Sequence, residues 1–244
     1  RFHDVYDPSE MDTIQSLKEF SASHHRLLWI HPFLDGNGRI TRLFSHAYAM
    51  EADVDSGGLW SLSRGLARYI DDYREALSWA DNPPRNDTDG RGPLSKRGLN
   101  QFCHFFLDVS IDQVEFMDEL LDLENLEKRV RGFARKASDG LVPEFDEPIH
   151  VHSQELLAEL LHHGEFARGD VSDVIDLGVR RSRDIVKQLE NHRLVESETE
   201  RGPLHIAFPE VAVRDYFPNL YSRDTARLSA ENRKEEGNTP SFEP

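Results

Sequence analysis

The sequence predicts a mainly α-helical protein: an all-α helical core followed by a small α+β module. Three observations predict it. Apolar residues before residue 140 recur at helical spacing. No strand pattern of weight occurs in that stretch. Beyond it, three short helical stretches run into an alternating segment that turns at Gly202-Pro203, the pattern of a hairpin.

Taken in order, residues 10–30 read as a helix, with Met11, Ile14, Leu17, Phe20, Leu27 and Leu28 at helical spacing. A second helix runs from about Arg39 to Ala52, with Ile40, Leu43, Phe44 and Ala47 on one side, and Gly57-Gly58 breaks it. "LWSLSRGLARYIDDYREALSWAD" is another helical stretch, and "NPPRNDTDGRGP" is a loop. Ser95 can cap the next helix, which carries Leu99, Phe102 and Phe106. "SIDQVEFMDELLDLENLEKRVRGF" reads as one long helix with Val114, Met117, Leu120, Leu121 and Leu126. Composition shifts at "KASDGLVPEFDEP", which reads as a linker. Helical stretches follow at about 153–163, 168–175 and 179–192. The division is therefore 1–135 helical core, 136–152 linker, 153–221 helices plus hairpin, and 222–244 a polar tail expected to be disordered.

The bulk numbers narrow the function. The chain has 244 residues and a net charge of −16, from 29 basic and 45 acidic residues. That argues against wholesale coating of nucleic acid, which needs many basic contacts. With no run of eighteen apolar residues, no membrane span is read. The start, Arg1-Phe2-His3-Asp4, is no signal peptide and lacks an initiator methionine, so a trimmed piece is expected. The single cysteine, Cys103, excludes an intrachain disulfide framework and suits a reducing cytoplasm. Among aromatics in "LNQFCHFFLDV" it reads as an inert buried thiol.

The densest chemistry lies in "HPFLDGNGRITR", His31 to Arg42. Gly36-Asn37-Gly38 stands between two helices, where glycines admit positive φ and close ligand approach. Free N–H groups at the start of the second helix favour an anion, and phosphate is the natural guest. Arg39 and Arg42 share a helix face and can each grip two oxygens. Asp35, a lone carboxylate beside bound phosphates, suits Mg²⁺. An imidazole is the side chain suited to proton transfer near neutral pH, so His31 can accept a proton from a hydroxyl nucleophile. Phe33 is expected to point inward and anchor the loop. Each residue alone favours a turn or a structural histidine; the full constellation points to metal-assisted transfer of a phosphate-containing group.

These twelve residues resemble the Fic signature, His-x-Phe-x-(Asp/Glu)-Gly-Asn-Gly-Arg-x-x-Arg, at every fixed position. The flanks "HHRLLWIHPF", "SRGLARYIDDYREAL" and "DGRGPLS" are similar to bacterial Fic proteins with a C-terminal winged helix. The resemblance implies an all-α Fic core and transfer of AMP from Mg-ATP to a Ser, Thr or Tyr hydroxyl of a target protein. It makes His31 the base, Asp35 the Mg²⁺ ligand, and Gly36, Asn37 and Gly38 the phosphate cradle. Arg39 would hold the β-phosphate and Arg42 the γ-phosphate or leaving group. Two departures are expected to matter. The β-hairpin flap that clamps the target in the family is missing upstream, so the core reads as N-terminally truncated. An inhibitory helix, (Ser/Thr)-x-x-x-Glu-(Gly/Asn), has no full match; "NRKEEG" at 232–237 reads as a chance tail sequence.

The C-terminal module, "DVSDVIDLGVRRSRDIVKQLENHRLVES", looks like helix-turn-helix with a wing. Arg180, Arg181, Arg183 and Lys187 would line its third helix, the element that enters a DNA major groove in such folds. Between Asp173 and Arg201 six basic residues stand against seven acidic ones, so a protein partner is favoured over DNA. The pairs His24-His25, His162-His163 and His150-x-His152 lack accompanying ligands and read as exposed helical histidines. Alternatives in view are another nucleotide or phosphodiester donor, removal of AMP, and a winged-helix regulator whose Fic part only senses nucleotide; homodimerisation is left open.

Overall fold

A computed structural model describes residues 2–221. The chain forms two compact units that divide between Met117 and Asp118. All strands fall in the second, and the first is helical among its described residues. Among the described residues no helix is long and apolar enough to cross a membrane.

The first unit opens with α1 (Phe2–Val5) and a 3-10 turn at Pro8–Glu10. α2 (Thr13–Ile30) starts where the Asp12 carboxylate accepts from the Gln15 N–H at 2.8 Å. α3 (Asn37–Glu51), α4 (Leu62–Arg68), α5 (Ile70–Asp81) and α6 (Lys96–Leu121) follow, the last four residues of α6 falling past the division. Ser95 caps α6, accepting from the Gly98 N–H at 2.9 Å while its own hydroxyl donates to Asp89. The core is aromatic: Phe20, Tyr48, Trp60, Tyr69, Tyr73, Phe102 and Phe106 are buried around Leu62 and Leu66. Gly98 lets α6 cross α5 closely, because a Cβ there would run into the Trp79 carbonyl oxygen.

The second unit holds α7 (Leu123–Ser138), α8 (Ser153–His163), β1 (Glu165–Phe166), α9 (Val171–Val174), α10 (Val179–Asn191), β2 (Val195–Glu196), β3 (Leu204–Ile206) and α11 (Glu210–Tyr216). The antiparallel sheet has order β1-β3-β2, with Val195 opposite Ile206 and Phe166 opposite Leu204. Val130, Phe133, Leu156, Leu160, Ile185, Leu189, Leu204 and Tyr216 fill its core.

Several expectations need correction. The helix expected through 110–133 breaks at Asp122, whose carboxylate caps α7 through the Asn125 N–H at 2.9 Å. "LWSLSRGLARYIDDYREALSWAD" is two helices, because Tyr69 leaves helical geometry (φ −103°, ψ 40°). α7 belongs to the second unit, not to a core ending at 135: Leu126, Val130 and Phe133 pack there. The 136–152 segment is no free linker, since Val142 and Ile149 are buried in that core and Phe145 stacks on His192. Short β1 and α11 carry too few residues to show a period. The expected disordered tail and "NRKEEG" lie outside the described residues.

α3 departs most. Of its expected inner face only Phe44 packs against the core; Ile40 (41% exposed), Leu43 (63%) and Ala47 are exposed, and the buried positions are Asn37, Thr41, Ser45, Tyr48 and Ala49. On α2, Ile14 is likewise exposed, as are Val114 and Leu121 on α6.

Candidate functional site

The motif forms the corner between α2 and α3. His31 caps α2 in left-handed geometry (φ 50°, ψ 57°), its N–H donating to the Leu27 carbonyl at 3.2 Å. A left-handed residue that is not glycine carries strain of roughly 1–2 kcal/mol, and Pro32 follows at once, so the chain leaves α2 sharply. The His31 side chain is exposed. Gly36 caps α3 at φ 83°, a conformation that glycine adopts without penalty. No side chain caps this first turn, which leaves the amides of Asn37, Gly38 and Arg39 directed out of the helix end.

Asn37 is spent on the loop itself. The Phe33 N–H donates to Asn37 Oδ1 at 3.0 Å, and Asn37 Nδ2 donates to the Phe33 carbonyl at 2.6 Å. The buried amide thus pins the loop across itself, and only the residue's backbone is left for a ligand. Phe33 does not anchor the loop from inside; it is 49% exposed, and Leu34 stands fully out. The Asn37 clamp does the work expected of Phe33.

The arginines lie over the glycines. A Cβ on Gly36 would sit 3.3 Å from Arg39 Nη2, and one on Gly38 would sit 3.4 Å from Arg42 Nη1. A side chain at 36 would press on the Arg39 guanidinium, and one at 38 would touch that of Arg42. Arg39 Nη2 also reaches Asp35 Oδ2 at 3.4 Å in a fully solvated pair. Such a pair contributes little and is easily exchanged for a ligand. The structure therefore brings His31, Asp35, Gly36, Asn37, Gly38, Arg39 and Arg42 to one short corner.

Behind this corner lies a buried network that helical spacing did not reveal. His24 is fully buried, with Nδ1 2.7 Å from Ser45 Oγ on α3 and Nε2 2.8 Å from the Tyr73 hydroxyl on α5. Ser45 Oγ donates to the Thr41 carbonyl at 3.0 Å. The protons then have one consistent order: Tyr73 O–H to Nε2, Nδ1–H to Ser45, Ser45 O–H to Thr41. This requires a neutral imidazole. Burial, with the nearby Arg42 and His25 charges, pushes the His24 pKa down to about 3. Burial raises the Tyr73 pKa, with Arg42 opposing. His24 lies two turns before His31, and Ser45 three residues after Arg42, so the network ties the two helices that carry the motif.

His25 is also buried. Its Nε2–H donates to Asp81 at 2.8 Å, and its Nδ1 accepts from Arg91 at 3.0 Å. Burial holds its pKa below the ordinary value against the pull of Asp81. The expectation of an exposed pair at 24–25 is therefore wrong, because both rings are fully hydrogen-bonded inside. His162 and His163 are exposed, each beside a glutamate; His150 and His152 are half-buried and stacked. Burial raises the Cys103 thiol pKa, which keeps it protonated and unreactive.

In the second unit only two of the four expected basic residues line a groove. Arg183 and Lys187 line a groove of about 600 Å³ together with Arg168 and Arg201, which helical spacing did not single out. Arg181 does not line it; burial lowers the His150 pKa, and the charges of His152 and Arg181 add to that. Arg180 does not line the groove.

The family model of the Fic/DOC family matches residues 2–49, the segment that contains α1, α2, the motif corner and most of α3. The His31–Arg42 corner lies inside the matched residues, and the match supports a Fic domain there.

Proposed function

We propose that this protein is a Fic-type transferase that moves AMP from Mg-ATP to a Ser, Thr or Tyr hydroxyl of a target protein. One observation carries the reading: the seven chemical positions of the motif lie along one helix–loop–helix corner, where the uncapped first turn of α3 has Arg39 over Gly36 and Arg42 over Gly38. That arrangement suits polyphosphate.

In this reading His31 accepts the proton of the target hydroxyl while its oxygen attacks the α-phosphorus. The new O–P bond forms as the bond from the α-phosphorus to the bridging oxygen breaks, and pyrophosphate leaves with that electron pair. The helix-end amides and Arg39 and Arg42 neutralise the charge that gathers on the departing phosphates. Asp35 fits a single-carboxylate role toward Mg²⁺, because it is exposed and only loosely paired. Among the described residues no three His, Cys, Asp or Glu converge on a point, so phosphate oxygens and water would complete such a site. When bound, Mg²⁺ would supply Lewis-acid charge to the phosphates.

The second unit reads as a winged-helix module, on the order α8-β1-α9-α10-β2-β3 and its small antiparallel sheet. We assign it to recognition of a partner.

The test is incubation of the chain with α-labelled ATP, Mg²⁺ and cell lysate, beside a His31→Ala variant. Label on a protein band, absent in the variant while ATP binding persists, supports the reading. ATP binding without label in any band overturns it in favour of another donor or of nucleotide sensing.

A further inference from the structure

We propose that the groove along α10 binds an acidic peptide segment of a partner protein in extended form, and not a DNA duplex. This site is separate from the motif corner and does not depend on the transfer reaction. Three observations on the second unit lead there.

The first is the charge that is left unspent. Arg168 Nη2 donates to Glu190 Oε1 at 2.6 Å, so those two groups largely neutralise each other. Arg183, Lys187 and Arg201 also line the groove, and none of them makes an ion pair among the described residues. Three cations therefore face one trough.

The second is the surroundings. From Glu165 to Ile206 there are seven basic and nine acidic residues. Glu196, Glu198 and Glu200 flank Arg201 in the β2–β3 hairpin, and Asp173 and Asp176 flank the α9–α10 turn. A duplex laid across this face would press phosphates against those carboxylates. Duplex binding needs a broad basic footprint. A narrow acidic segment can enter between the carboxylates and meet only the cations. Arg181 does not line the groove, which narrows the basic strip further.

The third is the shape and its floor. The groove follows α10 from Val179 to Glu190, about 16 Å at 1.5 Å per residue. An extended chain covers that length in about five residues. Arg183 and Lys187 stand one turn apart, with Cβ atoms roughly 5–6 Å from each other. In an extended peptide, residues two apart share a face at ~6.6 Å. Glutamates at alternate positions therefore match the two cations. Val179, 55% exposed, offers an apolar contact at the end of the same trough.

The probe is a fluorescein-labelled octapeptide that alternates glutamate with alanine, titrated with the full chain and read by fluorescence anisotropy. A labelled 20-base-pair duplex is titrated in parallel. Saturable peptide binding that weakens with salt is expected. The double substitution Arg183→Glu and Lys187→Glu should weaken it by about tenfold or more. Arg201→Glu, on the hairpin, is an independent second variant and should weaken it too. Circular dichroism confirms that each variant keeps its helices. No saturable peptide binding, an affinity untouched by the charge reversals, or a duplex bound more tightly than the peptide would each overturn the proposal.

Discussion

Deleting one hydroxyl, Tyr73→Phe, probes the buried network behind the motif. Tyr73 is 6% exposed, and phenylalanine keeps the ring, so little apolar burial changes. What is lost is the 2.8 Å hydrogen bond to His24 Nε2. That nitrogen belongs to a fully buried ring, out of reach of bulk solvent. Leaving a buried acceptor unsatisfied costs roughly 1–3 kcal/mol. Ser45→Ala removes the partner of the other ring nitrogen at 2.7 Å and should cost a similar amount. The two effects should couple, because a neutral imidazole that loses one partner can change tautomer; coupling of about 0.5–3 kcal/mol is the usual range for groups in one network. The assay is urea unfolding followed by tryptophan fluorescence. The chain's three tryptophans, Trp29, Trp60 and Trp79, all lie in the first unit, so the signal reports that unit and avoids a two-unit average. A loss of about 2 kcal/mol with a slope of ~2 kcal/mol per molar moves the midpoint by roughly 1 M. A shift corresponding to less than ~0.5 kcal/mol, or strictly additive single effects, would refute the network as described.

Three further outcomes are expected. The unfolded chain protonates His24 near the ordinary 6.5 but the folded state only near 3; the unfolded state therefore binds the extra proton, and stability that is full above pH 6.5 is lost as pH falls toward 3, by up to ~1.4 kcal/mol per pH unit. A series of urea midpoints across that window should fall, and His24→Gln should flatten the slope; an unchanged slope contradicts the neutral buried ring. Asn37→Ala removes both bonds to the Phe33 backbone and should cost ~1–3 kcal/mol while exposing the 32–36 loop to limited proteolysis; wild-type protease resistance would show that the clamp is dispensable. Gly98→Ala drives a methyl into the Trp79 carbonyl, where backbone cannot yield cheaply, and should cost at least about 3 kcal/mol; a melting temperature within a degree or two of the parent would show that the α5–α6 crossing is looser than the structure has it.

The predominance of helix, the late strands and the motif corner could be read from sequence because their causes are local. Ser95 caps a helix three residues away, and the hairpin turns at Gly202-Pro203 within a few residues of its strands. The motif is legible for the same reason: His31 to Arg42 are consecutive, so a helix end, a glycine cap and a new helix start bring them together with no help from distant residues. The side of α3 that faces inward is a different kind of question. Ile40, Leu43 and Ala47 form an apolar stripe, yet the packing partner, α2, meets the opposite side through His24. Ser45 is 21 positions from that histidine and Tyr73 is 49. Periodicity measures how apolar a face is and is blind to a polar face whose hydrogen bonds are all satisfied by a partner far along the chain. The second unit repeats the lesson. Sequence marked four basic residues on α10, but Arg168 and Arg201 come to the groove from other elements while Arg181 does not line it. By itself the sequence determined that helix predominates, the Ser95 cap and which residues lie at the corner; the tertiary structure alone decided which faces are buried and which charges share a groove, because burial and charge neutralisation depend on neighbours that chain order does not specify.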